Sequence, residues 1–277
     1  MGPYLPAQRF RAEKKSSMVL CYTLRLQHIK AKHTRGSGEE MSKAALITGG
    51  GVRLGKAMAL TLAEMGYDIA LHYNRSGDES KKTAGEIRAL GRECEIFQAD
   101  LLNMEETHTL VPRVFEVFPE CSILINSASV FENVYFQDVT EESYDRDMTV
   151  NFKAPFFLSQ AFSKEAASEL IVNLLDSRIS KHETEHFVYN ISKKALRDLT
   201  LMAARALGPK VRVNGICPGP VLPPPGKNDD YLMRISGDTP IGKPGNPGYI
   251  TAALKYIIEN TYITGECLFV DGGQHLV

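Results

Sequence analysis

Short runs of β-branched and aliphatic residues alternate with longer amphipathic stretches from Lys43 to the end of the 277-residue chain. That alternation is typical of repeated βα units around a parallel sheet. Each buried strand must then be followed by a helix that covers one face of the sheet. Since a chain of this length commonly forms one core, the sequence predicts a single α/β domain over residues 41–277.

About seven strands are predicted, which suffices for a Rossmann-type, doubly wound parallel sheet with helices on both faces. The predicted strands cover Lys43–Thr48, Asp68–Tyr73, Cys94–Ala99, Ser122–Asn126, Leu170–Leu175, Val211–Ile216 and Cys267–Val270. The predicted helices cover Arg53–Met65, Glu79–Leu90, Met104–Phe118, Glu142–Ser168 with a kink at Pro155, Phe187–Leu207 and Pro247–Asn260. Residues 218–247 hold eight prolines and five glycines, which predicts an irregular loop serving as a lid or substrate wall.

Residues 1–40 form a basic extension, with eight Lys/Arg but one acid before Glu39. We interpret it as a non-functional extension from an upstream start, because Met41 directly precedes the first strand. The alternative is a targeting or polyanion-binding arm. The formal net charge of -1 predicts no nucleic-acid or membrane partner, and the longest apolar runs are too short to cross a bilayer. Five scattered cysteines indicate reduced thiols in a cytoplasmic protein.

The segment Thr48–Gly55 is a glycine-rich turn between the first strand and the first helix. Glycines let the backbone approach a pyrophosphate closely, and a helix N-terminus offers free N–H groups and a positive dipole end. Ligands of open parallel sheets bind beyond the carboxyl ends of the strands. The turn therefore predicts a dinucleotide site, with a plain tight connection as the alternative.

The end of the second strand predicts which dinucleotide is bound. An NAD-binding unit places a carboxylate there, but this strand ends in Tyr73-Asn74-Arg75-Ser76. Arg75 can pair with a 2′-phosphate and Ser76 can donate a hydrogen bond to it. The cofactor is therefore expected to be NADPH rather than NADH.

Polar and aromatic residues follow the third and fourth strands. Asp100-Leu101 can contact an adenine amino group, or Asp100 can cap the next helix. The small residues Asn126–Ser129 leave room for a ribose and a nicotinamide. Phe131 can stack on an aromatic substrate, although an ordinary core phenylalanine is the alternative.

Tyr189 and Lys193 carry the sharpest chemical signal. Positions i and i+4 share one face of a helix, so the phenol and the ammonium lie side by side. The cation favours the phenolate, and we expect it to lower the pKa of Tyr189 toward the working range of an acid/base catalyst.

The chain resembles the short-chain dehydrogenase/reductase family at Thr48–Gly55, Asn126–Ser129, Asn151, Tyr189–Lys193 and Pro218-Gly219. The resemblance extends from Lys43 to the terminal Asp271-Gly272-Gly273. It implies that the tyrosine donates the proton, that the lysine lowers its pKa and holds the nicotinamide ribose, and that the asparagine supports a water relay. It also implies a homo-oligomer, since tetramers are frequent in the family.

At two positions the chain departs from the family pattern and resembles the pteridine reductases, a group within that family. Arg53 replaces the middle glycine of the first turn, and Asp176 replaces the usual serine 13 residues before the tyrosine. The resemblance, which includes Ser129 and Phe131, implies that Arg53 and Asp176 face the substrate and that Phe131 stacks on a pterin ring. A hydride from NADPH would then reduce a ring C=N bond while Asp176 and Tyr189 deliver the proton.

These signals predict a complete site without a metal. The catalytic residues are expected to be Asp176, Tyr189, Lys193 and Asn151. NADP(H) is expected to contact Gly49, Arg53, Leu54, Gly55, Tyr73, Asn74, Arg75, Ser76, Asp100, Leu101, Asn126, Ala128, Tyr189, Lys193, Pro218 and Gly219. A dihydropterin, or dihydrofolate, is expected to contact Arg53, Ser129, Phe131, Asp176 and Tyr189.

Three alternatives stay open from the sequence. If the fifth strand ends one residue later, Ser177 replaces Asp176, and the site fits a carbonyl or 3-oxoacyl thioester reductase. The basic arm could instead make the protein an NADPH-sensing binding protein. His182-Glu183-Thr184-Glu185-His186 has the HExxH spacing of zinc proteases, but no third ligand is evident.

Overall fold

The computed structural model describes residues 42–224 and 226–277, so the predicted basic extension lies outside the described residues. The described strands are β1 Ala44–Ile47, β2 Asp68–Tyr73, β3 Cys94–Gln98, β4 Cys121–Asn126, β5 Leu170–Leu174, β6 Arg212–Pro218 and β7 Cys267–Val270. The described α-helices are α1 Arg53–Glu64, α2 Gly77–Ala89, α3 Met104–Val117, α4 Glu141–Met148, α5 Ala154–Lys164, α6 Phe187–Leu207, α7 Asp229–Gly237 and α8 Pro247–Glu259.

The seven described strands form one sheet in the order β3-β2-β1-β4-β5-β6-β7, with each neighbouring pair parallel. The predicted Rossmann-type α/β fold is confirmed. The strand order reverses between β1 and β4, so the loops at their carboxyl ends diverge and leave a crevice at that edge of the sheet.

Helices cover both faces of the sheet. On one face α1 packs against α2 and α8, and on the other α3 packs against α5. Met58 and Leu62 of α1, Ile87 of α2 and Leu254 of α8 belong to one buried apolar cluster with the strands. The residues of β1, β4 and β5 are all buried, because a sheet covered on both faces has no solvent side. None of the described helices is long and apolar enough to span a membrane.

The single helix predicted over Glu142–Ser168 is wrong. The chain instead forms α4, one π-helical segment at Thr149–Lys153, and α5. Pro155 lies in the first turn of α5, where its missing N–H is tolerated, but it cannot donate to the carbonyl group of Asn151 as an α-helix requires. The irregularity therefore falls just before the proline, and it turns the Asn151 side chain into the interior.

The prolines and glycines predicted an irregular loop between β6 and α8, but part of this stretch is helical. It contains α7, which begins where the Asn228 side chain accepts a hydrogen bond from the Tyr231 N–H at 3.2 Å. Asp229 and Asp230 in the first turn suit the positive end of the helix dipole. The burial of Leu232 holds the helix against the domain.

A chain of buried amides links the centre of the sheet to α6. Asn126 of β4 donates through Nδ2 to Oδ1 of Asn173 in β5 at 2.8 Å. Asn173 in turn donates to Oγ1 of Thr200 at 2.9 Å, and that hydroxyl donates to the carbonyl group of Leu196. Buried polar groups are tolerated when they are paired in this way.

We predict that Thr200→Val destabilises the protein by about 1–3 kcal/mol, because the buried Asn173 N–H then has no acceptor. Urea unfolding followed by circular dichroism measures the change. Thr109→Val is the matched control, since this exposed threonine also donates to a carbonyl group of its own helix. Equal losses of stability in the two variants would show that the amide chain contributes nothing.

Candidate active site

The glycine-rich turn after β1 forms a tight cradle. Gly49 has a φ of +64°, and a Cβ there would lie 3.0 Å from the Cα atom of Ala128. A Cβ at Gly55 would lie 2.1 Å from the carbonyl oxygen of Gly49. Among the described residues no side chain caps the N-terminus of α1. The turn therefore has the close backbone approach and the free helix N–H groups that a dinucleotide pyrophosphate needs.

Side chains that the sequence did not single out hold this turn. The Thr48 hydroxyl oxygen accepts hydrogen bonds from the N–H groups of Ser127 at 2.9 Å and Ala128 at 3.0 Å, which ties β1 to the end of β4. Thr83 of α2 donates to the carbonyl group of Gly51 at 2.9 Å. These bonds fix the walls of the crevice between β1 and β4.

His72, buried in β2, supports the same turn. Its Nδ1 accepts from the Gly49 N–H at 3.2 Å, so Nε2 must carry the hydrogen that it donates to the carbonyl group of Ala99 at 3.0 Å. Burial lowers the pKa of His72 to about 4. The imidazole is therefore neutral in the folded protein near neutral pH.

The residues expected around the adenosine end have different environments. Arg75 is exposed, and within the described ranges no acidic side chain forms an ion pair with it. Ser76 precedes α2 directly. The carboxylate of Asp100 accepts from Asn74 Nδ2 and from the Leu102 N–H, both at 3.0 Å. Asp100 therefore makes a local turn bond, while Asn103 rather than Asp100 caps α3. The edge keeps Arg75 as an accessible cation.

Not every expected cofactor residue points its side chain into the crevice. Asn126 is buried in the amide chain, and the side chain of Leu101 is also buried. Pro218 ends β6, and a Cβ on Gly219 would lie 2.5 Å from the Cα atom of Asp271. These residues shape the edge of the sheet, and contacts from them to a cofactor would come from the backbone.

Arg53 links the first turn to the segment after β6. It has a positive φ of 53°, and its Nη2 donates to the carbonyl group of Pro223 at 2.8 Å. Leu54, next in α1, is half-buried. The guanidinium therefore reaches the far side of the crevice, where the sequence placed a substrate wall.

Three of the four catalytic residues expected from the sequence meet at the end of β5. The Tyr189 hydroxyl donates to Oδ2 of Asp176 at 2.8 Å, and the other carboxylate oxygen accepts from the Arg178 N–H at 2.9 Å. Lys193 is buried and donates through Nζ to the carbonyl group of Leu174 at 2.8 Å. Its Nζ lies 5.7 Å from the centre of the Tyr189 ring.

Asp176, rather than Ser177, faces the tyrosine. Ser177 is buried, and its hydroxyl donates to Oε1 of Gln274 at 2.7 Å in the C-terminal segment. The alternative register, in which the serine contacts the substrate, is therefore wrong for this geometry.

The pKa of Tyr189 moves in the direction opposite to the one expected from Lys193. Burial and the neighbouring Asp176 carboxylate raise the pKa of Tyr189 well above its usual value. Burial also lowers the pKa of Lys193 to about 8. The tyrosine therefore keeps its proton at neutral pH, as a proton donor must.

Asn151 acts on the loop that follows β4. Its Oδ1 accepts from the Val130 N–H and from the Ser129 hydroxyl, both at 2.9 Å, and its Nδ2 donates to the carbonyl group of Val130 at 3.0 Å. The side chain thus positions that loop. The water relay expected at Asn151 stays a prediction.

Phe131 lies at the site, but its ring already has neighbours. The His186 ring stacks on it with centroids 4.0 Å apart and planes 17° apart. The Arg178 guanidinium lies 5.3 Å from the ring centre, and Tyr189 meets the ring edge-on at 4.7 Å. One face of Phe131 is therefore covered, so a substrate ring must use its remaining surface or displace a neighbour.

His186 and Arg178 are site residues that the sequence reasoning missed. His186 entered it only through the HExxH spacing. The segment His182–His186 is not helical, because α6 begins at Phe187, so the two histidines do not share a helix face. No group of three or more His, Cys, Asp or Glu within the described ranges could hold a metal ion.

Residues 43–230 match the family model described as short chain dehydrogenase. The chain belongs to the short-chain dehydrogenase/reductase family. Its predicted class, an oxidoreductase, is thereby confirmed. The curated short-chain dehydrogenase/reductase FrzI of a Cladobotryum species is 31% identical, over 84% of this chain and 96% of that protein.

Among solved structures, FolM alternative dihydrofolate reductase 1 from Brucella suis, crystallised with NADP, is 33% identical, with a TM-score of 0.81 over 85% of this chain and 96% of that chain. Acetoin dehydrogenase YohF from Salmonella typhimurium is 25% identical, with a TM-score of 0.78 over 86% of this chain and 97% of that chain. The similarity to FolM agrees with the predicted resemblance to pteridine reductases within the family.

His72 gives a pH-dependent prediction. Its folded pKa of about 4 lies below its ordinary value of 6.5, so the unfolded state binds more protons between these values. The free energy of unfolding should therefore fall by about 2 kcal/mol between pH 7 and pH 5 from this residue alone.

Urea unfolding at both pH values should show this loss in the wild type and a smaller loss in His72→Gln. His108→Gln, which removes an exposed histidine, should keep the wild-type pH dependence. An unchanged pH dependence in His72→Gln would contradict the prediction.

Proposed function

We propose that the protein is an NADPH-dependent reductase that transfers a hydride to a C=N bond of a pteridine-type substrate, converting a dihydropterin, or dihydrofolate, to its tetrahydro form. The hydrogen bond from Tyr189 to Asp176 carries this proposal. A carboxyl group beside the proton donor can pair with a basic ring nitrogen or its cation, whereas a carbonyl substrate needs only a hydroxyl donor.

NADP(H) is the cofactor. The cradle at Gly49 and Gly55 fits the pyrophosphate, and the exposed Arg75 fits the 2′-phosphate. Lys193 is proposed to hold the nicotinamide ribose. When bound, the cofactor supplies the hydride that the substrate carbon receives.

The chain's own residues supply the proton and the orientation. Tyr189 donates its hydroxyl proton to the ring nitrogen, so the C=N bond gains a hydrogen on each atom and the reaction consumes NADPH and one proton. Asp176 accepts from the tyrosine before the transfer and pairs with the protonated ring nitrogen after it. Lys193, whose pKa is about 8, can return a proton to the tyrosine.

The substrate class is supported by the resemblance at Arg53, Asp176 and Phe131 and by the Brucella suis neighbour, named as an alternative dihydrofolate reductase. A second candidate is a carbonyl or 3-oxoacyl thioester reductase. It is favoured by a 27% identity to the 3-oxoacyl-(acyl-carrier-protein) reductase FabG of Staphylococcus epidermidis, which covers 85% of this chain and all of that protein.

Apolar side chains exposed on α5 and α6 support a further proposal, that the protein is a homo-oligomer and specifically a tetramer. Phe156, Ile191, Leu201 and Met202 are each at least a third exposed, and Met202 is 72% exposed. The thiols of Cys121, Cys217 and Cys267 are free, which suits the proposed cytoplasmic location. Activity is proposed to reside in residues 41–277, because every proposed site residue lies there.

NADPH oxidation tests the substrate class. We expect turnover of a dihydropterin, with Asp176→Ser lowering kcat by about 100-fold because the ring nitrogen loses its charged partner. Dihydrofolate and acetoacetyl thioester complete the substrate panel. Asp198→Ser, an exposed aspartate of α6, is the control and should leave kcat unchanged. Turnover of the thioester alone would overturn the pteridine proposal.

Arg75→Ala should reduce the preference for NADPH over NADH by at least about tenfold, because the 2′-phosphate loses its cation. The ratio of kcat/KM for the two cofactors measures the preference. Arg205→Ala, at an exposed position in the last turn of α6, should not change that ratio. A variant at Arg75 that keeps the wild-type ratio rules out this assignment.

A further inference from the structure

His186 is held in a strained backbone conformation at the candidate site. Within residues 42–224 and 226–277, two non-glycine residues have a positive φ, Arg53 at 53° and His186 at 52°. Such conformations cost free energy, and they persist where the surrounding structure enforces them, often at functional sites. Arg53 donates to the carbonyl group of Pro223, and His186 stacks on Phe131, a residue expected to contact the substrate.

Hydrogen bonds to the loop after β4 enforce the position of His186. Its backbone N–H donates to Oδ1 of Asn133 at 3.2 Å, and its ring Nδ1 lies 2.8 Å from the carbonyl oxygen of Glu132. The next residue, Phe187, donates its N–H to the carbonyl group of Val134 at 3.0 Å. The imidazole is therefore fixed in place before any ligand binds.

These contacts define the tautomer of His186. A carbonyl oxygen can only accept, so Nδ1 must carry the hydrogen and donate to Glu132. In the neutral ring the lone pair is then on Nε2, which is a hydrogen-bond acceptor. Asn133 and Glu132 thus leave one defined acceptor on the imidazole.

The charge state of His186 agrees with that role. Burial and the positive charge of Arg178 lower the pKa of His186, while Asp176 and Glu185 oppose the shift. The carboxyl group of Asp147 in α4 also interacts electrostatically with the imidazole ring of His186. With the pKa below its ordinary value, the imidazole is neutral at neutral pH and keeps its acceptor.

The imidazole ring of His186 lies near the ring of the proton donor. The His186 ring is stacked on Phe131, and its centroid is 6.4 Å from that of the Tyr189 ring. In a dihydropterin the carbon of the reacting C=N bond carries the substituent of the ring. When Tyr189 meets the reacting nitrogen, that substituent is the nearest part of the substrate outside the ring.

We propose that His186 is a specificity-determining residue, which accepts a hydrogen bond through Nε2 from a hydroxyl group on the substituent next to the reacting C=N bond. The inference rests on the proposed function and narrows its substrate class to dihydropterins with a hydroxylated substituent. A site built to bond a hydroxyl group discriminates against an analogue that lacks it, because its own polar group is then unpaired.

Two probe substrates and two variants test this. The probes are 6-hydroxymethyl-7,8-dihydropterin and 6-methyl-7,8-dihydropterin, which differ by one hydroxyl group. His186→Phe keeps an aromatic ring and removes the acceptor, and His186→Gln keeps an acceptor without the ring. His182→Phe, an exposed histidine of the same segment, is the matched control. The readout is kcat and KM for each probe at pH 7.5, with thermal unfolding and NADPH fluorescence to check folding.

The wild type and His182→Phe should favour the hydroxymethyl probe in kcat/KM by about tenfold, the size expected of one hydrogen bond. His186→Phe should abolish this preference through a higher KM for the hydroxymethyl probe. His186→Gln should retain part of it. The wild-type preference should decline at acidic pH, where the protonated imidazole no longer accepts.

The outcomes separate this inference from the proposed function. If the wild type reduces both pterins without preference, or if His186→Phe keeps the preference, the role of His186 is refuted while the reductase proposal stands. A loss of kcat on both probes in His186→Phe and His186→Gln indicates a structural role for His186. That outcome also refutes the proposed role in specificity. If the wild type reduces neither pterin, the inference is refuted, and if it also fails to reduce dihydrofolate, the proposed function is refuted with it.

Discussion

The hydrogen bond between Tyr189 and Asp176 joins the two elements on which the candidate site depends. Asp176 lies two residues after the end of β5, and Tyr189 lies in the first turn of α6, so one 2.8 Å contact aligns a strand end with a helix. The second carboxylate oxygen accepts the Arg178 N–H and fixes the turn between them. Because a carboxylate accepts from both groups, its orientation is defined before a ligand arrives.

Hydrogen bonds also fix the geometry around the crevice before a ligand binds. There, buried side chains bond to the backbone of the loops that would contact ligands. His72 and Thr48 hold the glycine turn and the end of β4, and Asn151 holds Val130 in the following loop. Each of these side chains is tied to a rigid element of the sheet or of the helix layer. The loops are therefore preorganised, which reduces the conformational entropy that binding must overcome.

The sequence predicted what depends on local periodicity and missed what depends on tertiary contacts. Alternating strands and helices predicted all seven described strands, since both faces of the sheet must be apolar. Helix α7 was missed because prolines and glycines dominate its flanks, although Asn228 was a capping signal. Spacing alone did not decide whether Asp176 or Ser177 faces the tyrosine. A shift of one residue at the end of the strand exchanges the two side chains. His186 appeared only in a zinc-type spacing and Arg178 in no motif, and only folding brings them to Phe131.

Asp176, at a position where the family usually has a serine, also suits a tyrosine that acts as a proton donor. A tyrosine that oxidises an alcohol must first lose its proton, but burial and the Asp176 carboxylate raise the pKa of Tyr189 well above its usual value. The phenolate is therefore scarce at neutral pH, and the tyrosine is a poor base. A protonated phenol next to a carboxylate instead suits a substrate whose nitrogen takes up a proton and becomes more basic as the C=N bond is reduced. A protonated tyrosine beside this carboxylate thus supports the proposed reduction of a nitrogen heterocycle.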